Sequence, residues 1–91
     1  MAKFETHCED CARELGEDFA QVHLWLDELF NEYGITHRKY GHHVEGVEEI
    51  RNRWGDKAAR AAEIHIMRDF GIKYVPTKHD VETIWWLYGV L

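Results

Sequence analysis

Apolar residues recur every three or four positions along nearly the whole chain, and strict alternation is almost absent. That spacing is the period of an amphipathic helix, because residues three and four apart share one helical face. Phe4, Cys8, Cys11 and Leu15 form a first stripe followed by Gly16, which predicts a helix over about 4–15 with a glycine stop. A second helix is expected from about Glu17 to Tyr33. Glu17 and Asp18 would sit at its positive end, Phe19, Val22, His23, Leu26, Phe30 and Tyr33 on one face, and Gly34 after it. A third would be capped by Thr36 and run to Trp54, its first turn made irregular by Gly41, with His43, Val47, Ile50 and Trp54 on one stripe.

A fourth helix is expected to be capped by Asp56 and to end at Phe70 before Gly71. Its inner side would be Ala58, Ala59, Ala62, His65, Ile66, Asp69 and Phe70. Ile72 to Val75 reads as an extended connector, since Pro76 disfavours a helical Val75. Thr77 is then the N-cap of a last helix, with Asp80 three residues on as a capping-box partner. The expected fold is all-α, a compact single-domain bundle of about five helices covering residues 1–91.

Composition narrows the function classes. A chain of 91 residues that is 45% hydrophobic and 31% charged can build one core, and it is too apolar to be wholly disordered. The net charge of −6 repels phosphate and argues against nucleic acid as a partner. No apolar run approaches the roughly 20 residues that span a bilayer, and no basic start leads into an apolar segment. A cytoplasmic protein without a membrane partner is therefore expected. The seven histidines are the compositional anomaly, because protonating all of them would carry the net charge to about +1 near the imidazole pKa.

Three of these histidines, His23, His43 and His65, fall on the apolar stripes of three different expected helices. Two have a carboxylate one turn later, Asp27 after His23 and Asp69 after His65, and i, i+4 side chains share a face. Helical bundles build metal sites from such inward-facing pairs, or use the carboxylate to orient the imidazole. His23, His43, His65 and Asp69 are the leading candidate ligands, with His7, Asp27 or His42 completing the shell. Imidazole with carboxylate suits a divalent transition metal such as Zn, Fe, Mn or Ni. His42 and His43 point about 100° apart in a regular helix, so both cannot face one centre. The competing reading is a buried His–Asp hydrogen-bond network that specifies packing.

Cys8 and Cys11 form a lone C-x-x-C. With no second pair and no preceding strand, they read as small core residues. The basic residues His37, Arg38, Lys39, Arg51 and Arg53 read as a solvated face. Trp85 and Trp86 cannot both face one core, so the C-terminal aromatic helix leaves both a homodimer and a monomer open.

The stretch His37-Arg38-Lys39-Tyr40-Gly41-His42-His43-Val44-Glu45-Gly46 resembles a family of small bacterial His-rich domains of unknown function with the pattern H-R-x-x-x-H-H-x-E-G. The resemblance extends to His23, Trp25 and Asp27, to Glu63 with His65, and to Asp69-Phe70-Gly71 and Pro76-Thr77. It implies that His23, Asp27, His37, His42, His43, Glu63, His65 and Asp69 belong to one constellation. The chain departs from that family after the third helix, where Trp54 to Lys57 is a short turn instead of a strand-like insert.

Three function classes follow. The first is a small metal-binding helical protein, with hydrolysis as its extension if an open position holds a water and Glu63 or Asp27 acts as base. The second is a non-enzymatic, homo-oligomeric interaction module with a structural His/Asp network. The third is a pH-responsive element built on buried histidines.

Overall fold

The computed structural model describes residues 4–28 and 41–81. Within them the chain forms four helices and no strand: α1 (Phe4–Leu15), α2 (Ala20–Asp27), α3 (Val44–Trp54) and α4 (Asp56–Phe70). None of these helices is long and apolar enough to cross a membrane.

α4 is the central element and packs against each of the other three. Its inner face explains why. Ala58, Ala59, Ala61 and Ala62 are buried and small, so neighbouring backbones approach closely. The Cys11 thiol of α1 reaches the Ala61 carbonyl at 3.8 Å. Below the alanines, Ile66 joins Val22 and Leu26 of α2 and Val47 and Ile50 of α3 in one apolar cluster. Ile50 and Ile66 are fully buried, each worth about 1.5–3 kcal/mol of transfer free energy.

The boundaries differ from the sequence pattern in physically informative ways. α1 spans the expected residues, but its buried face is His7, Asp10 and Cys11, while Phe4 is exposed and Cys8 only half-buried. His7 draws this face inward through a bond to Asp69 of α4. α2 starts at Ala20, not Glu17, because Phe19 adopts a left-handed backbone (φ 54°). The Asp18 carboxylate accepts the Ala20 N–H there. The Phe19 ring is buried, which offsets a backbone cost of roughly 1–2 kcal/mol.

α3 starts at Val44, far later than the Thr36 expected from the stripe. The residue before it, His43, is extended, and its Nδ1 accepts the Gly46 N–H at 3.1 Å. α3 ends at Gly55, whose N–H bonds the Arg51 carbonyl, and α4 begins at the next residue. Gly55 therefore holds the cap position expected for Asp56, and the Asp56 carboxylate instead accepts from Arg51 Nε at 2.9 Å. Trp54, placed on the inner stripe by spacing, is 40% exposed.

The capping box at Thr77 forms as expected. Thr77 Oγ1 accepts the Asp80 N–H and the Asp80 carboxylate accepts the Thr77 N–H, opening a helical turn over 78–81. This segment is tied to the start of α3 by Val44 N–H donating to the Pro76 carbonyl and Lys78 N–H donating to Glu45. Residues 29–40, with His37, Arg38 and Lys39, and residues 82–91, with Trp85 and Trp86, lie outside the described residues, and with them the rest of the expected fifth helix and the homodimer patch. Arg51 pairs with Glu48 and Asp56 and Arg53 with Glu49, as a solvated face would.

Candidate metal centre

The structure gathers His7 from α1, His23 and Asp27 from α2, His42 from the turn before α3, and His65 and Asp69 from α4 into one buried knot. His7, His23, His42 and His65 are completely buried, and Asp69 is 8% exposed. The two i, i+4 pairs are used differently: Asp69 contacts His65 at 3.2 Å on its own helix, while Asp27 reaches across to His65 and His42.

Asp69 is the hub. Its Oδ1 lies 3.1 Å from His7 Nε2, and its Oδ2 lies 3.0 Å from His42 Nε2 and 3.2 Å from His65 Nε2. Burial alone would favour the neutral acid, but hydrogen bonds from His42 and His7 and the close His65 imidazole outweigh it and hold this carboxyl far below the usual range. Asp27 closes the knot from the other side, 3.3 Å from His65 Nε2 and 3.7 Å from His42 Nε2. Its side chain is 27% exposed, so the knot meets solvent at Asp27.

His65 is enclosed on every side. Its Nδ1 faces His23 Nδ1 at 2.9 Å, and its ring stacks on that of His7 with centroids 3.5 Å apart. Burial disfavours its charged form, yet Asp27 and Asp69 together hold its pKa above the ordinary imidazole value. Its Nε2 is buried and lies between two carboxylates, but has no partner in hydrogen-bond geometry among the described residues. His23 shifts the other way. Burial and the neighbouring His65 push it down to about 4, although the Asp18 carbonyl, 2.8 Å from its Nε2, opposes this.

Two sets of potential donors result. Asp27, His42, His65 and Asp69 each offer an atom within 4.8 Å of the others, as do His7, His23 and His65. Of the residues singled out by sequence, Asp27, His7, His23, His42, His65 and Asp69 meet here. His43 belongs to neither set, since its Nδ1 caps α3 and lies 3.2 Å from Glu45. Neither does Glu63, whose carboxylate meets Arg60 at 3.3 Å. The stripe put His43 ahead of His42 because it assumed a regular helix through both, whereas the chain turns at 41–43 and brings His42 into the knot. The Asp18 carbonyl was invisible to sequence reasoning, since a backbone group has no side-chain signature.

From His42 on, each polar residue of the motif has a structural task. His42 enters the knot and His43 caps α3. Glu45 accepts the Lys78 amide, and Gly46 lies against the backbone of Gly41. A Cβ at Gly46 would sit 1.9 Å from the Gly41 oxygen, so no larger residue fits there without moving the turn that carries His42.

No curated protein and no solved structure matches the chain. A family match runs over residues 2–87 and so covers both helical pairs and the double-histidine turn. The chain belongs to the family described as a domain of unknown function, DUF6915.

Proposed function

We propose that this domain binds one divalent transition metal through His42, His65, Asp27 and Asp69. The observation that carries the reading is the buried His65 Nε2, aimed between two carboxylates without a hydrogen bond to either. Donor spacing supports it. Ligands about 2.0–2.1 Å from a tetrahedral ion sit about 3.3 Å from one another; the four histidine-to-carboxylate distances run from 3.0 to 3.7 Å, and all four donors lie within 4.8 Å of one another. Charge supports it too, since the two carboxylates that favour a positive charge at His65 would equally favour a divalent ion bound there in place of its proton. A mixed imidazole and carboxylate set favours zinc, iron, manganese or nickel over calcium or magnesium.

Solvent reaches the centre beside Asp27, the donor that is part exposed. Of the two expected bases, Glu63 is engaged with Arg60 and Asp27 serves here as a ligand, so the reading assigns no base and stops at metal binding.

Protein prepared without a polyhistidine tag tests the proposal. Elemental analysis after gel filtration is expected to find about one transition-metal ion per chain, lost in Asp69→Asn and His65→Asn. Metal-free protein that takes up no zinc, iron, manganese or nickel on titration overturns it.

A further inference from the structure

His65 has two ways to meet a metal. Its Nε2 faces Asp27, Asp69 and His42, and its Nδ1 faces His23. Hydrogen-bond bookkeeping decides between them. A carbonyl oxygen only accepts, so the Asp18 carbonyl at 2.8 Å requires a proton on His23 Nε2. With that nitrogen protonated, a neutral His23 has its lone pair on Nδ1. Two ring nitrogens 2.9 Å apart share one proton, so His65 Nδ1–H donates to His23 Nδ1.

We propose that His23 is a positioning residue that fixes the His65 tautomer, so that the His65 Nε2 lone pair, and not Nδ1, meets the metal. The proposal rests on the metal reading above and selects the Asp27, His42, His65, Asp69 set over the three-histidine set. In the latter, His23 and His65 spend their facing nitrogens on each other.

The backbone supplies an independent reason. Phe19 is the one non-glycine residue with positive φ among those described, and it directly follows Asp18. The turn it makes leaves the Asp18 carbonyl on the His23 ring instead of in a helix N-terminal to it. Backbone strain of this kind persists where surrounding structure fixes it, and it concentrates at functional sites. Here it terminates a chain running from the Asp18 carbonyl through His23 to His65. Metal-bound imidazoles usually donate their second N–H to a carbonyl or carboxylate. In this protein a second imidazole stands between the ligand and the carbonyl, so the orientation of His65 depends on a residue that touches no metal.

Long-range ¹⁵N–¹H correlation of the imidazole rings at pH 7 tests this directly. In metal-free protein His23 is expected as the neutral Nε2–H tautomer. In zinc-loaded protein His65 is expected with its proton on Nδ1 and zinc on Nε2. Zinc on His65 Nδ1, or on either nitrogen of His23, overturns the inference and leaves metal binding standing. A His23 that carries its proton on Nδ1, or both protons, in metal-free protein overturns it whether or not metal binds. Failure to bind any metal overturns both readings together.

A substitution pair adds a second readout. His23→Phe removes the acceptor and is expected to weaken zinc binding about 10–100-fold, the usual loss on removing such a partner. His23→Asn places an amide oxygen near the Nδ1 position and is expected to recover most of that loss. Equal zinc affinity in both variants and the parent contradicts the proposal.

Discussion

Gly46→Ala is the sharpest small change available. The added methyl carbon would lie 1.9 Å from the Gly41 oxygen, 2.7 Å from its carbonyl carbon and 2.9 Å from its Cα. All three are backbone atoms, so no rotamer change relieves the contact. The 41–46 turn must retreat by more than 1 Å, and His42, the residue after Gly41, moves with it. Overpacking of this severity costs about 3 kcal/mol, the upper end of the usual range. In a domain of this size that lowers Tm by roughly 12–24 °C. Metal sites tolerate about 0.2 Å of ligand displacement, so zinc affinity should fall as well. Gly16→Ala is the control. Gly16 also has a positive φ (82°), but nothing lies within 4 Å of an added Cβ, so only the backbone cost of about 1–2 kcal/mol remains and zinc binding is unchanged. Calorimetric melting with zinc titration reads both variants. A Gly46→Ala protein that melts within 3 °C of the parent and holds zinc equally well would refute the close approach of the two backbones.

Other substitutions separate the roles of neighbouring groups. Asp69→Asn leaves three imidazoles facing a neutral amide and should cost about 3–5 kcal/mol in metal-free protein. A urea midpoint unchanged from the parent contradicts the hub role of Asp69. His43→Ala removes the α3 cap and should cost about 1 kcal/mol without altering zinc affinity, whereas a large affinity loss would make His43 a ligand after all. The thiol of Cys11 is pushed up to about 11, first by burial and then by Asp10. Its neutral form is therefore favoured in the fold. The associated stability is full below the ordinary thiol pKa of 9.0 and is lost as pH rises toward 11. Iodoacetamide should accordingly label Cys11 slowly at pH 8, with a rate still climbing above pH 9. Rapid labelling of native protein at pH 8 would contradict its burial.

How much of this was legible in the chain depended on whether a signal was local. The ends of α1 and α4 followed from a 3.6-residue stripe closed by a glycine. The Thr77–Asp80 box followed from two residues three apart. His23 with Asp27 and His65 with Asp69 were readable because i, i+4 spacing fixes a shared face whatever the tertiary fold. His42 ranked behind His43 because the stripe ran a helix through Gly41 to His43, where the chain instead turns. No propensity rule marks histidine as a helix cap, so His43 looked like a core residue. Gly46 could not be assigned a role from sequence, since the backbone it touches is five residues away through a turn. The burial of His7 depended on Asp69, which lies 62 residues further along the chain.

A metal ion held among Asp27, His42, His65 and Asp69 must raise stability, because it ligates the folded state. The most direct measurement is the Tm of untagged, chelator-stripped protein before and after zinc is added back to about 100 times its dissociation constant. The expected gain is about 2.7 kcal/mol, or roughly 11–22 °C, abolished in Asp69→Asn. Superimposable melts with chelator and with zinc, iron, manganese or nickel would contradict it and leave the knot as a hydrogen-bonded packing element.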